Sequence, residues 1–161
     1  MKKSDNFVFV GYEREFSYEI LRLWRESFHR AIGMEEDTKQ EVVREHLEVL
    51  QSLNPDFIRV ALEGNTSKII GFMRMEENII NDLFIHVDYQ RQGLGSRFIQ
   101  QAKEEKEFLS LSTFELNKGA QKFYKHHDFV ISRRGFASFE DNPWANNQEQ
   151  LADITYEWSR E

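Results

Sequence analysis

The sequence predicts an α/β fold on a mixed, mostly antiparallel central sheet flanked by helices, with the element order β-αα-βββ-α-β-α-ββ. Three observations predict it. Short β-prone runs alternate with amphipathic helical stretches, three strand-like runs follow one another across tight turns, and a polar glycine-bearing segment joins the third run directly to a helix. The 161 residues are 40% hydrophobic and 30% charged, which suits one core and leaves no room for a second full-sized one. Residues 1–161 are therefore read as a single domain.

Phe7 to Tyr12 is short and β-prone. Phe16, Ile20, Leu23, Trp24, Phe28 and Ile32 then recur at helical spacing, and Gly33 breaks the pattern. Thr38-Lys-Gln-Glu41 reads as a capping box opening a second helix, with Val43, Leu47 and Leu50 on one face and Asn54-Pro55 at its end. Strands are expected over 57–63, 68–76 and 79–87, turning near Gly64-Asn65 and Glu77-Asn78. Leu94, Phe98 and Ala102 mark a helix running to about Lys106. A strand over 108–114, a helix over 118–126, and strands over 129–139 and 151–158 complete the chain, the last two parted by Asn142-Pro143-Trp144. No repeat, low-complexity tract or linker interrupts the order.

Composition narrows the function. With 21 Lys+Arg against 28 Asp+Glu the formal charge is −7, so the chain lacks the positive field of a non-specific nucleic-acid binder. The absence of Cys removes disulfides, thiolate metal sites and cysteine nucleophiles. The apolar run after Lys2 and Lys3 is too short for a signal peptide, and no stretch reaches the roughly 20 apolar residues of a membrane span. A cytoplasmic protein acting on neither nucleic acid nor membrane is expected. His126 and His127 are adjacent and cannot share a helix face, so no zinc pair and no metal are expected.

Gln90-Arg91-Gln92-Gly93-Leu94-Gly95-Ser96 lies between a strand and a helix, where first-turn N–H groups lack intrahelical partners and the dipole favours an anion. Glycine lets backbone approach a phosphate closely, although two glycines here also suit a simple tight turn. Phe98 stands where a dinucleotide fingerprint needs its third glycine, and no Gly-Lys-Ser/Thr end makes a nucleotide P-loop.

Beyond the next strand comes Asn117-Lys-Gly-Ala120-Gln-Lys-Phe-Tyr124-Lys-His-His-Asp-Phe129. Gln-x-x-Gly-x-Gly after a strand, followed by Asn-x-x-Ala-x-x-Phe-Tyr-x-x-x-x-Phe, resembles the GNAT superfamily of acetyl-CoA-dependent N-acetyltransferases, and the element order agrees over nearly the whole chain. The resemblance implies acetyl-CoA as co-substrate. It assigns the coenzyme pyrophosphate to the amides of Gln90 to Ser96 and the pantetheine arm to the strand edge at Leu83, Phe84 and Ile85. A backbone N–H there would polarise the thioester carbonyl. Asn117 corresponds to the position that hydrogen-bonds the arm, and Tyr124 to the tyrosine that protonates the departing thiolate. Read alone, Asn117 is equally a helix N-cap and Tyr124 an amphipathic residue at a helix edge. Lys118, Lys122, Lys125, Arg133 and Arg134 are candidates to meet coenzyme phosphates or to form a solvated basic face.

The sequence departs from the family at the general base, where a count back from Gln90 puts Ile79 or Asn81 in place of a carboxylate or histidine, and Val87 replaces a common proline. Asp82 or His86 is then the candidate base, acting through a water. For the acceptor, the resemblance points to Glu35, Glu36 and Asp37 between the first helices, and to the connection carrying Trp144, a set suited to a cationic amine. The reading is direct transfer in a ternary complex to a primary amine of a small molecule or peptide. The alternative is a catalytically weak coenzyme A-binding sensor or interaction module, and a homodimer is compatible with either.

Overall fold

The computed structural model describes residues 6–36 and 39–161. In chain order the elements are β1 (Phe7–Gly11), α1 (Ser17–Ile32), α2 (Gln40–Ser52), β2 (Ile58–Glu63), β3 (Ile69–Glu76), β4 (Ile79–Ile85), α3 (Leu94–Glu105), β5 (Phe108–Phe114), α4 (Lys118–His126), β6 (Val130–Phe136) and β7 (Ala152–Ser159). The expected order is reproduced element by element. Thr38, the proposed opening of the capping box, lies outside the described residues.

One seven-stranded sheet runs in the order β1-β2-β3-β4-β5-β7-β6. Every neighbouring pair is antiparallel except β4 and β5, which are parallel. Apolar side chains from the two sheet faces build two cores. Ile20, Leu21 and Leu23 of α1 and Leu50 of α2 pack against Val60 and Phe72 on one face. Leu94, Phe98, Ile99 and Ala102 of α3, with Tyr124 of α4, pack against Met73, Leu109 and Ile154 on the other. Phe98 is wholly buried, worth about 1.5–3 kcal/mol of transfer free energy. Its ring meets Phe9 edge-on, with centroids 5.1 Å apart.

Two irregularities position the site. The pairing of β4 with β3 runs from Glu76↔Ile79 to Gly71↔Ile85 and slips by one residue at Asn81, a bulge. In an unbroken strand Ile80 and Leu83 would face opposite sides; the bulge puts both in the α3–α4 core. By contrast, β4 pairs with β5 only at Ile79↔Ser110, while β5 pairs with β7 over seven residues. The two halves of the sheet are joined at one point and part beyond it, leaving the rest of the β4 edge without a strand partner on that side.

Two expected strands end early. β4 stops at Ile85 rather than 87, because His86 turns out of the sheet and its Nδ1 accepts the Asp88 N–H, capping a turn over Val87–Tyr89. β6 stops at Phe136, and the following connection folds back toward the gap between β4 and β5. Among the described residues no helix is long and apolar enough to cross a membrane.

Candidate active site

The parting of β4 from β5 opens a cleft of about 520 Å³. Ile80 to Phe84 form one wall, Leu111 to Phe114 the other, and Asn117, with Ala120 and Tyr124 of α4, closes one end. Trp24, Arg25, Phe28 and His29 of α1, Glu45, His46 and Val49 of α2, and the connection from Glu140 to Trp144 form the opposite end.

The loop from Gln90 to Ser96 sits at the exit of β4. Gly93 caps α3 with φ of 90°, a left-handed conformation that glycine adopts without the Cβ penalty, and Arg91 also has positive φ at 62°. No side chain caps the α3 N-terminus and its first turn holds no acidic residue. Its first N–H groups therefore remain available to an anion. The Gln90 side chain donates to the Ile85 carbonyl at 2.9 Å and Gln92 Nε2 donates to the Asp88 carbonyl at 3.3 Å, bracing the loop on the strand it leaves. The Gln92 Oε1 atom is buried without a hydrogen-bond partner among the described residues. A Cβ on Gly95 would stand 3.2 Å from Phe123 Cζ, so this glycine lets α3 approach α4. Ser96 is tied to α4 as well, its Oγ 2.9 Å from His127 Nε2.

Asn117 caps α4 through Oδ1, which accepts the Ala120 N–H at 3.0 Å, and the cap leaves the side-chain amide N–H groups as what Asn117 offers the cleft. Tyr124 is 8% exposed and packs beside Phe123, Phe129 and Tyr156. Burial, with a smaller contribution from the Asp82 charge, holds its phenol far above the ordinary value, so the proton stays on oxygen.

Asp82 lines the same cleft and accepts from Arg74 Nε at 2.7 Å; Arg74 also meets Glu76 at 3.0 Å. His86 does not line the cleft. Burial, followed by the charge of Lys68, pushes its imidazole below the ordinary value. Glu35 and Glu36 do not line it either; Glu36 stands 3.4 Å from Arg25 Nε. Asp37 lies outside the described residues. Trp144 lines the cleft, with its ring 5.7 Å from Phe28 and 5.2 Å from Phe114. Of the basic residues near the motif, Arg134 is paired with Glu115 at 2.5 Å, while Lys118, Lys122, Lys125 and Arg133 are exposed.

Sequence reasoning missed the α1 and α2 side of the cleft. Trp24 and Phe28 share the spacing of the buried stripe, and nothing in that spacing separates a core ring from one at the edge of a cleft. Arg25, 5% exposed, lies within hydrogen-bond reach of His46 Nδ1 at 2.5 Å, a pair that no sequence pattern announces. Among the described residues no group of three or more His, Asp or Glu side chains is placed to hold a metal ion.

Residues 54–131 match the profile of the Acetyltransferase (GNAT) domain. Among curated protein sequences none matches the chain. The apo-form of YjaB from Escherichia coli superposes with a TM-score of 0.72 at 18% identity, covering 96% of this chain and 99% of that one. A GCN5-related N-acetyltransferase from Rhodopseudomonas palustris superposes at 0.70 and 16% identity over 94% of each chain. A candidate streptothricin acetyltransferase from Bacillus anthracis, in complex with acetyl coenzyme A, shows 27% identity and a TM-score of 0.54 over 65% of this chain and 63% of that one.

Proposed function

The chain carries a GNAT acetyltransferase domain over residues 54–131 on the GNAT fold, and from this we propose that it is an acetyl-CoA-dependent N-acetyltransferase acting on a primary amine. One observation carries the reading: the parallel junction of β4 with β5 opens at the end of β4 that feeds an uncapped, glycine-bearing helix start, with Tyr124 lining the opening.

The residues present fit the donor. The amides of Gln90 to Ser96 at the uncapped α3 N-terminus would hold the pyrophosphate. The free edge of β4 at Leu83, Phe84 and Ile85 would pair with the pantetheine amides, and Asn117 would donate to the same arm. The coenzyme supplies an activated thioester carbonyl.

The chain's own groups then do three things. A β4 backbone N–H, preorganised by the Asn81 bulge, stabilises the developing oxyanion. Asp82, held by Arg74, accepts the amine proton through a water, and is preferred over His86 because it lines the cleft. Tyr124, protonated at working pH, gives its proton to the thiolate as the C–S bond breaks. Asp82 and Tyr124 line one cleft, the arrangement that direct transfer in a ternary complex needs.

The test is calorimetric titration with acetyl-CoA, with ATP as comparison, followed by thiol release across an amine panel. Micromolar binding that Gly93→Glu abolishes, with turnover of at least one amine, is the expected result. No binding at near-millimolar coenzyme would overturn it.

A further inference from the structure

Four aromatic rings from four separate elements meet at the acceptor end of the cleft. Phe28 of α1 lies 6.2 Å from Phe84 of β4, 5.8 Å from Phe114 of β5 and 5.7 Å from Trp144 of the β6–β7 connection, and Phe114 and Trp144 are 5.2 Å apart. Three of these four contacts are edge-to-face, and the Phe28–Phe114 pair is tilted. All four rings line the cleft and all are half-buried. Trp144 spends its indole N–H inside its own loop, on Asn142 Oδ1 at 3.2 Å, so what it offers the cleft is hydrocarbon surface. Phe84 and Phe114 stand on the two strands that part, which sets the wall beside the gap where the thioester would reach.

Asp82 is committed to Arg74, and Glu45, Glu140 and Asp141 add carboxylates to the same cleft, which suit the protonated nitrogen of an amine and leave the rest of the acceptor to the apolar wall. A concave apolar wall left half-exposed calls for an apolar occupant, and aromatic side chains favour a ring that packs against them offset or edge-to-face.

We infer that the acceptor is an amine carrying an aromatic body, with Phe28, Phe84, Phe114 and Trp144 as the residues that select it. This inference rests on the acetyltransferase reading. Transfer forms the amide C–N bond and breaks the thioester C–S bond. The amine loses one proton through water to Asp82, and the thiolate gains one from Tyr124. The aromatic body takes no part in the chemistry and contributes only to binding.

The experiment compares phenethylamine with n-butylamine and spermidine, by kcat/KM from thiol release and by calorimetric binding to protein saturated with desulfo-CoA. Phenethylamine is expected to lead by roughly tenfold in both readouts. Phe28→Leu, or Phe114→Leu should the first fail to fold, is expected to bring the phenethylamine-to-butylamine ratio close to one. Equal or better kcat/KM for butylamine or spermidine overturns the inference and leaves the enzyme standing, and so does a ratio that neither variant moves. Preferential binding of phenethylamine without turnover of any amine supports the aromatic site and removes the enzyme reading. Absence of any binding preference overturns the site.

Discussion

The Ser96 hydroxyl lies 2.9 Å from Nε2 of His127, which ties the first turn of α3 to the residue that ends α4. The imidazole also meets the Phe123 ring at a tilt of 58°, centroids 4.6 Å apart. Burial first, then the charges of Lys103 and His126, pushes His127 below its ordinary value. The neutral ring is thus the form that suits the fold.

A stability profile follows from that sign. A histidine whose folded value is depressed contributes stability that is present above its unfolded value, about 6.5, and is lost as pH falls toward the folded value. His86 is shifted the same way and adds to the effect. The melting temperature should be flat from pH 8 to 7 and fall below about pH 6.5. His127→Gln keeps a hydrogen-bonding side chain but cannot titrate, so its acid limb should be shallower than that of wild type. Coincident limbs would show that His127 is not the group responsible.

Tyr124 shifts in the opposite direction, and the consequence lies in alkali. Its raised phenol contributes stability that is complete below the unfolded value near 10 and is lost as pH climbs toward the folded value. Tyr156, also raised by burial, shares this limb. Tyr124→Phe preserves the ring contacts with Phe129 and Tyr156 and should flatten part of the alkaline loss. If the phenol is the general acid, the same variant should lower kcat by about 100-fold or more while acetyl-CoA affinity changes by no more than about threefold. Equal turnover would remove the proposed role.

The order of elements was legible in the residues because each periodic run is short and is punctuated by Gly, Pro or Asn. The bulge was not. Ile79 to Val87 reads as one uniform β run, and nothing in it marks Asn81 as the residue that slips against Arg74 and Met75. The family resemblance could single out the glycine loop, Asn117 and Tyr124 because each belongs to a short run of sequence at α3 or α4. The acceptor end was hidden for the opposite reason: Phe28, Phe84, Phe114 and Trp144 meet only through the tertiary fold. In the structure Trp144 lines the cleft and Trp158 packs on the α3–α4 core with Lys103 over its ring at 4.9 Å.

Asp82 and His86 can be told apart by a pair of variants. Asp82→Asn removes the carboxylate but keeps an acceptor for Arg74 Nε, at a stability cost of about 1–2 kcal/mol for a weakened charge-assisted bond. Its kcat should fall by roughly 10- to 100-fold. His86→Gln, at a residue outside the cleft, should change kcat by less than about threefold. The reverse pattern would transfer the base role to His86.

Gly95 carries a packing role separable from any ligand role. An alanine Cβ there would stand 3.2 Å and 3.3 Å from two Phe123 ring atoms, so Gly95→Ala should cost about 1–3 kcal/mol as α3 is pushed from α4. At roughly 2–4 °C per kcal/mol for a chain of this size, the melting temperature should drop by several degrees. Phe123→Leu removes the ring the new methyl strikes, and the double variant should therefore be more stable than the sum of the two single losses predicts, by about 0.5–2 kcal/mol. Gly93→Ala offers the contrast, because its cost comes from the left-handed backbone at φ of 90° rather than from a neighbour. Phe123→Leu should leave that cost unchanged. Strict additivity in both cycles would mean that the contact between Gly95 and Phe123 does not limit the approach of the two helices.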